Sequence, residues 1–120
     1  GVDVFLFDPH VSIDANDAEL EAVADKVRSR GLVIGSVVAP VWEPTGGGSA
    51  GGSVEEIDAF LTQVRKGCEI AKKFRELGVR PYGIVRLDTA TSVADWAKAP
   101  EETQSKIADT LKAACDIAEE

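Results

Sequence analysis

The stretch Leu32–Ser53 decides the fold of this chain, and it reads LVIGSVVAPVWEPTGGGSAGGS. Its first part, Leu32–Val41, is a nearly continuous apolar run rich in β-branched side chains, without alternation of apolar and polar residues. Such a run is typical of a parallel strand that is covered on both faces. The long loop after it lies at the carboxyl end of the predicted strand, where α/β folds place their ligand sites. Ser53, with Glu56 three residues later, forms a predicted capping box that opens a helix, and Asn16 with Glu19 predicts the same start for an earlier helix.

Two further predicted strands flank this one, and a helical pattern follows each of the three. Val2–Phe7 reads VDVFLF, and Val79–Leu87 reads VRPYGIVRL. Apolar residues at helical spacing follow the first strand as far as Gly31 and the second as far as Gly78. Gly67 lies inside the second of these helices, where glycine is costly, and it predicts tight packing at that position. The sequence therefore predicts an α/β fold of parallel βα units within a single incomplete domain, residues 1–120. The three units cover about residues 2–31, 32–78 and 79–120.

Three strands are few for a sheet that hides its edges. The pattern predicts a long apolar edge strand on each side of the sheet, and unpaired edges of that kind invite pairing with other strands. We therefore expect the chain either to be a fragment of a larger sheet or to pair with copies of itself.

Composition excludes several classes of partner. The formal net charge is −8, from 13 basic and 21 acidic residues, which argues against nucleic acid and against an anionic membrane surface. No apolar run is long enough for a transmembrane helix. The two cysteines, Cys68 and Cys115, lack the spacing of a metal knuckle or a redox pair, which fits a cytoplasmic location with reduced thiols.

Four stretches of the chain carry a resemblance to a known family. They are VDVFLF, LVIGSVVAPVWEPTGGGSAGG, KGCEIAKKFRELGVRPYGIVRLDT and ADWAKAPEETQSKIADTLKAACDIAEE, and the last two match in both order and spacing. Together they resemble the sugar phosphate isomerase/epimerase family, the xylose-isomerase-like TIM barrels. The resemblance implies that the chain is a partial TIM (β/α)8 barrel whose three units correspond to strands 2–4 of eight.

The resemblance also implies a reaction and a cofactor. In this family a divalent metal (Mn, Mg, Co or Zn) is typically held by two Glu, one Asp and one His at the ends of later strands. Two of those carboxylates move a proton next to a carbonyl. The strand that brings the first of these glutamates would follow Glu120, so we expect no metal ligands in this chain and no catalysis by this chain alone.

Three residues near predicted strand ends are candidates for contacts with the substrate of such an enzyme. His10 follows the first strand and can orient a sugar hydroxyl or act as an acid, although a loop histidine also caps backbone groups. Trp42 follows the second strand and offers either an aromatic wall for a sugar or a plug of the barrel. Asp88 follows the third strand and either contacts the substrate or joins a structural ion pair.

The glycine-rich loop is a candidate for a phosphate site or a lid. Gly46, Gly48 and Gly51 match G-x-G-x-x-G, but the turn does not follow the strand directly, as a dinucleotide-binding turn requires. A phosphate cradle that leads into the helix at Ser53 is one interpretation, and a flexible connection is the other. The candidate residues of this loop are Gly46, Gly47, Gly48, Ser49 and Ser53.

A structural ion pair is predicted inside the barrel. Arg86 and Asp88 share one face of the third strand by alternation. A buried arginine needs a carboxylate partner, which either Asp3 or Asp88 can supply.

The sequence thus predicts part of a metal-dependent sugar or sugar-phosphate isomerase or epimerase. Its partners would be a small sugar or sugar-phosphate substrate and either the remainder of the barrel or further copies of the chain. A self-assembling scaffold without catalysis is the alternative, and a small Rossmann-like nucleotide binder is a third hypothesis.

Overall fold

A computed structural model describes residues 1–42 and 47–120 of the chain. These residues form a parallel three-stranded sheet, whose strands lie side by side in chain order, and four helices. No helix in the described ranges is long and apolar enough to cross a membrane. In chain order the elements are β1 (Val2–Phe5), α1 (Asp17–Ser29), β2 (Ile34–Val38), α2 (Val54–Glu76), β3 (Val85–Arg86), α3 (Val93–Lys98) and α4 (Pro100–Glu119).

The described chain divides into two compact units. The first comprises Gly1–Ala39 and Lys66–Arg86, and it holds the sheet, α1 and the second part of α2. The second comprises Pro40–Arg65 and Leu87–Glu120, and it holds the first part of α2 together with α3 and α4.

Two helices begin at the capping boxes that the sequence predicts. At α1 the side chain of Asn16 accepts a hydrogen bond from the Glu19 N–H, and the Glu19 carboxylate accepts one from the Asn16 N–H. At α2 the Ser53 hydroxyl and the Glu56 carboxylate make the same reciprocal pair. Each box satisfies two N–H groups that a helix start otherwise leaves unpaired.

The core of the first unit lies between the sheet and its two helices. Gly67 of α2 is buried there, and a Cβ at this position would stand 3.3 Å from the Cβ of Ala39 and 3.6 Å from Leu6 Cδ1. The tight packing predicted for this glycine is therefore confirmed. Buried core residues from the strands and helices include Val4, Leu6, Leu20, Ala24, Val27, Ile34, Val37, Ile70, Ala71 and Phe74.

The predicted partial TIM barrel of three βα units is wrong. The third strand, expected over Val79–Leu87, is only two residues long, and the helices α3 and α4 follow it. Pro81 and Gly83 lie inside the predicted strand; proline cannot donate to a ladder and glycine weakens a strand. Within the described ranges the structure has mixed α/β content, with four helices and a small parallel sheet.

The long apolar edges expected of the sheet are also wrong. β1 has four residues and β3 has two. The N–H of Leu6 donates to Val38 of β2, so the Phe5 carbonyl in the same peptide points away from β2. The returning chain pairs with that carbonyl through the Val11 N–H, at 3.3 Å. Short and partly covered edges are the usual protection against strand pairing between molecules.

The buried arginine of the sheet region is Arg80, not Arg86. Arg86 is exposed, whereas the Arg80 side chain is only 7% exposed. Its Nη1 donates to the Ala71 carbonyl at 3.2 Å, and its Nε has no hydrogen-bond partner among the described residues. Burial lowers the pKa of Arg80, the positive charge of Arg75 lowers it further, and Cys68 opposes both.

We expect the substitution Arg80→Met to leave the free energy of unfolding unchanged or to raise it by up to about 2 kcal/mol. The variant removes a buried charge but keeps the apolar stem that packs in the core. Urea denaturation at equilibrium measures the change. Lys112→Met, at an exposed position of α4, is the control, and we expect it to change the free energy of unfolding by at most about 0.5 kcal/mol. A loss of more than about 1 kcal/mol in Arg80→Met would show that the guanidinium is stabilising.

The Ser92 side chain makes two hydrogen bonds to Asp95 at the start of α3. The Ser92 hydroxyl accepts a hydrogen bond from the Asp95 N–H at 3.0 Å and donates one to Asp95 Oδ2 at 2.7 Å. The donated bond lowers the pKa of the Asp95 carboxyl. Desolvation opposes this shift, and Lys98 lowers the pKa further.

We expect Ser92→Ala to raise the pKa of Asp95, because the alanine cannot donate to the carboxylate. The depressed pKa stabilises the fold above the pKa of the unfolded chain, and this stabilisation disappears as the pH falls through the folded pKa. The pKa of Asp95 is measured from its carboxyl ¹³C chemical shift as a function of pH, in the unmodified chain and in Ser92→Ala. An unchanged Asp95 titration in Ser92→Ala would contradict the role of the hydroxyl.

Candidate functional site

The carboxyl ends of the three parallel strands lie at one edge of the sheet, because parallel strands run in the same direction. His10 follows β1 within the first unit. Trp42 follows β2 and Asp88 follows β3, and both belong to the second unit. The three residues predicted for a substrate rim are thus divided between the two units.

His10 is exposed and lies against two phenylalanine rings of the first unit. Its ring centroid is 5.8 Å from that of Phe5 and 5.4 Å from that of Phe7, and the two phenyl rings make an edge contact at 5.7 Å. The His10 N–H donates to the Phe7 carbonyl at 2.9 Å, which fixes the turn after the strand. We call these three residues the β1 aromatic cluster.

The two phenylalanines were not among the site residues predicted from the sequence. Strand alternation explains their position, since Val4 and Leu6 face the helices in the core and their neighbours Phe5 and Phe7 face the other side. Both rings are half-buried. The signal in the sequence was the pattern VDVFLF itself, in which every second residue from Asp3 points away from the core.

The β1 aromatic cluster combines an apolar platform with one group that can donate or accept a hydrogen bond. An imidazole offers a donor nitrogen and an acceptor nitrogen when it is neutral. Sugars present C–H faces and hydroxyl groups together, so aromatic rings beside a polar side chain suit them.

Trp42 and Asp88 lie in the second unit and differ in exposure. Trp42 is half-buried and Asp88 is exposed. Both take part in contacts within the protein. Their roles as an aromatic wall and as a substrate contact stay predictions.

The glycine-rich loop is packed where the structure describes it. Gly46 lies outside the described residues, whereas Gly47, Gly48 and Ser49 are buried. A Cβ on Gly47 would stand 1.9 Å from the Pro40 carbonyl oxygen, so only glycine fits there. The described part of the loop is therefore not the open, flexible connection that its composition suggests.

Hydrogen bonds hold this loop on several sides within the second unit. The Ser49 N–H donates to the Glu56 carbonyl at 3.1 Å, and the Ala50 N–H donates to the Thr89 carbonyl at 2.9 Å. The Thr110 hydroxyl of α4 donates to the Ala50 carbonyl at 2.9 Å.

These bonds also occupy the groups that a phosphate would use. Besides the N–H groups of Ser49 and Ala50, the Gly51 N–H points to the Ser49 hydroxyl at 3.4 Å, and the Ser53 N–H donates to the Glu56 carboxylate at 2.7 Å. A phosphate cradle needs free N–H groups and little negative charge at the helix start. The phosphate interpretation of residues 47–53 stays a prediction, without support from their hydrogen bonds.

Asp3, proposed as an ion-pair partner, makes a backbone contact. Its Oδ1 accepts a hydrogen bond from the Ser36 N–H at 3.1 Å, beside the register shift between Val2 and Asp3 in the β1–β2 pairing. Arg86 is exposed, so it lacks the burial that made a carboxylate partner necessary. A pair between Asp3 and Arg86 stays a prediction.

Metal ligands do not cluster in the described part of the chain. Residues 1–42 and 47–120 contain no group of three or more His, Cys, Asp or Glu side chains that could hold a metal ion.

Comparison of the chain with protein-family models, with curated proteins and with solved structures found no match.

We expect Gly48→Ala to lower the free energy of unfolding by about 3 kcal/mol or more. Gly48 has φ +76°, and a Cβ there would stand 2.0 Å from the Glu56 carbonyl oxygen and 2.7 Å from the Phe60 nitrogen. Backbone strain and a steric clash therefore act together. Chemical denaturation at equilibrium measures the loss.

Gly31→Ala is the matched control for this substitution. Gly31 has a similar φ of +64°, but no atom lies within 4 Å of an added Cβ. Its expected cost is about 1 kcal/mol, from backbone strain alone. Equal losses in the two variants would contradict the tight packing of the loop.

Proposed function

We propose that this chain is the substrate-contacting part of a metal-dependent isomerase or epimerase that acts on a small sugar or sugar phosphate. The observation that supports the proposal best is the β1 aromatic cluster at the carboxyl end of a parallel strand. Carboxyl ends of parallel strands are where α/β enzymes bind their ligands. The resemblance of four stretches of the sequence to this enzyme family is the second support.

His10 has the central role in this proposal. Its imidazole donates a hydrogen bond to a substrate hydroxyl or carbonyl oxygen, while Phe5 and Phe7 contact the C–H face of the sugar. Trp42 and Asp88 belong to the second unit, and their roles as an aromatic surface and a hydroxyl acceptor stay predictions from the sequence. The resemblance assigns the divalent metal (Mn, Mg, Co or Zn) and the proton-transferring carboxylates to later strands of that family's enzymes.

The proposed location is the cytoplasm. Cys68 and Cys115 are both free thiols, one half-buried and one exposed. Free thiols on a surface are typical of proteins in a reducing compartment.

The test is the binding of D-fructose and of D-fructose 6-phosphate to the chain, followed by NMR shifts of the His10, Phe5 and Phe7 rings. We expect saturable shifts at these rings with at least one of the sugars, and at least a fivefold weaker binding in His10→Ala, which is about 1 kcal/mol. His10→Gln keeps a hydrogen-bonding group and should recover part of the affinity. Gln104→Ala, at an exposed position of α4, is the control and should leave the affinity for both sugars unchanged.

The two sugars also distinguish the substrate class. Tighter binding of the phosphate ester would favour a sugar phosphate and reopen the question of a phosphate site. Absence of saturable shifts with both sugars, or unchanged binding in His10→Ala, would remove the support that the β1 aromatic cluster gives.

The two alternative hypotheses have less support. A self-assembling scaffold was expected from long open edges, but the edge strands are short and Val11 pairs with part of one edge. A dinucleotide binder needs the N–H groups of the glycine-rich loop, and those of Ser49 and Ala50 are engaged within the protein.

A further inference from the structure

A cleft of about 280 Å³ lies in the first unit, between the second part of α2 and the segment that leads into α1. Ile13, Leu20 and Ile70 supply its apolar lining. We call it the α2 cleft. It involves none of the residues of the β1 aromatic cluster, so a ligand of the α2 cleft does not depend on the proposed function.

Two ion pairs stand in the α2 cleft. Lys66 Nζ is 2.5 Å from Asp14 Oδ1, and Lys73 Nζ is 2.8 Å from Asp17 Oδ2. Each pair joins α2 to the segment around the start of α1. The hydrogen bond to Asp17 raises the pKa of Lys73, which keeps that ammonium charged and paired.

Glu69 is the third carboxylate of the α2 cleft, and its charge is not matched. It lies three residues after Lys66 and four before Lys73, on the same side of the helix. Both lysines are held by aspartates, and Glu69 makes no ion pair with any residue that the structure describes. Three carboxylates thus face two ammonium groups, so the cleft carries a net charge of −1.

The charge balance and the lining of the α2 cleft indicate which chemical class of ligand it can bind. An anion would have to displace Asp14 or Asp17 from a lysine, whereas a cation finds the Glu69 carboxylate available. Leu20 and Ile70 are buried, at 3% and 6% exposure, so the apolar surface open to a ligand is mainly that of the half-buried Ile13. An apolar body that covers Ile13 removes this surface from water, which a hydrated metal ion cannot do. The charge of the whole chain, −8, attracts cations as well.

We propose that the α2 cleft binds a small organic ammonium ion with an apolar body. The ammonium group donates hydrogen bonds to the Glu69 carboxylate, and the apolar body packs on Ile13 and Ile70. The ion pairs Lys66–Asp14 and Lys73–Asp17 remain intact and hold the walls of the cleft in place.

Benzylamine is the probe, and benzyl alcohol and benzoate are its neutral and anionic counterparts. The measurement is a titration of the intact chain, followed by the ¹³C-methyl NMR signals of Ile13, Leu20 and Ile70. We expect saturable shifts with benzylamine, saturable shifts at lower affinity with benzyl alcohol, and no saturable shifts with benzoate. Salt should weaken the binding of benzylamine, since an exposed charge pair is screened.

Glu69→Gln should weaken the binding of benzylamine about fivefold, as expected for an exposed charge pair, and should leave benzyl alcohol unchanged. Glu55→Gln is the matched control, because Glu55 is an exposed glutamate of the same helix that does not line the cleft. Ile13→Ala, at a half-buried position, should weaken benzylamine and benzyl alcohol alike.

Three results would overturn the proposal. Benzylamine shifts that do not saturate would show that the cleft does not bind it. Equal affinity in Glu69→Gln and in the intact chain would remove the role of the carboxylate. Tighter binding of benzoate than of benzylamine would show instead that the lysines exchange their aspartates for an external anion.

Discussion

The first unit depends on the pairing of β2 on both of its sides. Val37 and Val38 are opposite β1 residues Val4 and Phe5 on one side and β3 residues on the other. Both valines are at most 1% exposed. Backbone groups at this depth must find hydrogen bonds within the protein, and the two neighbouring strands supply them. Both neighbours run parallel to β2, so the carboxyl ends of all three strands lie at one edge of the sheet.

Local signals in the sequence predicted the helices well. The capping boxes at Asn16 and Ser53 depend on residues three positions apart, and both formed as predicted. Gly67 was expected to mark a close approach, and the structure places Ala39 against it. These features are determined by neighbours in the chain or by one helix face, which a sequence reveals directly.

One error concerned a local signal and the other depended on packing against a helix. Pro81 and Gly83 interrupt the segment Val79–Leu87, of which only Val85 and Arg86 join the sheet. Arg80 is buried and its guanidinium reaches the Ala71 carbonyl of α2, whereas Arg86 is exposed, and strand alternation alone does not reveal this difference. The aromatic platform under His10 could have been found from the alternation of side chains within VDVFLF.

The hydrogen bonds of the glycine-rich loop restrict its length, although its composition is typical of a segment that tolerates changes of length. Runs of glycine and serine usually mark segments in which insertions and deletions accumulate without harm. Here the Thr110 hydroxyl reaches the Ala50 carbonyl from a position 60 residues further along the chain, and Thr89 binds the N–H of the same residue. A change of length between Gly47 and Ser53 would shift Ala50 out of register with both partners. This segment therefore has the length constraints of a core strand, while its amino-acid content is that of a linker.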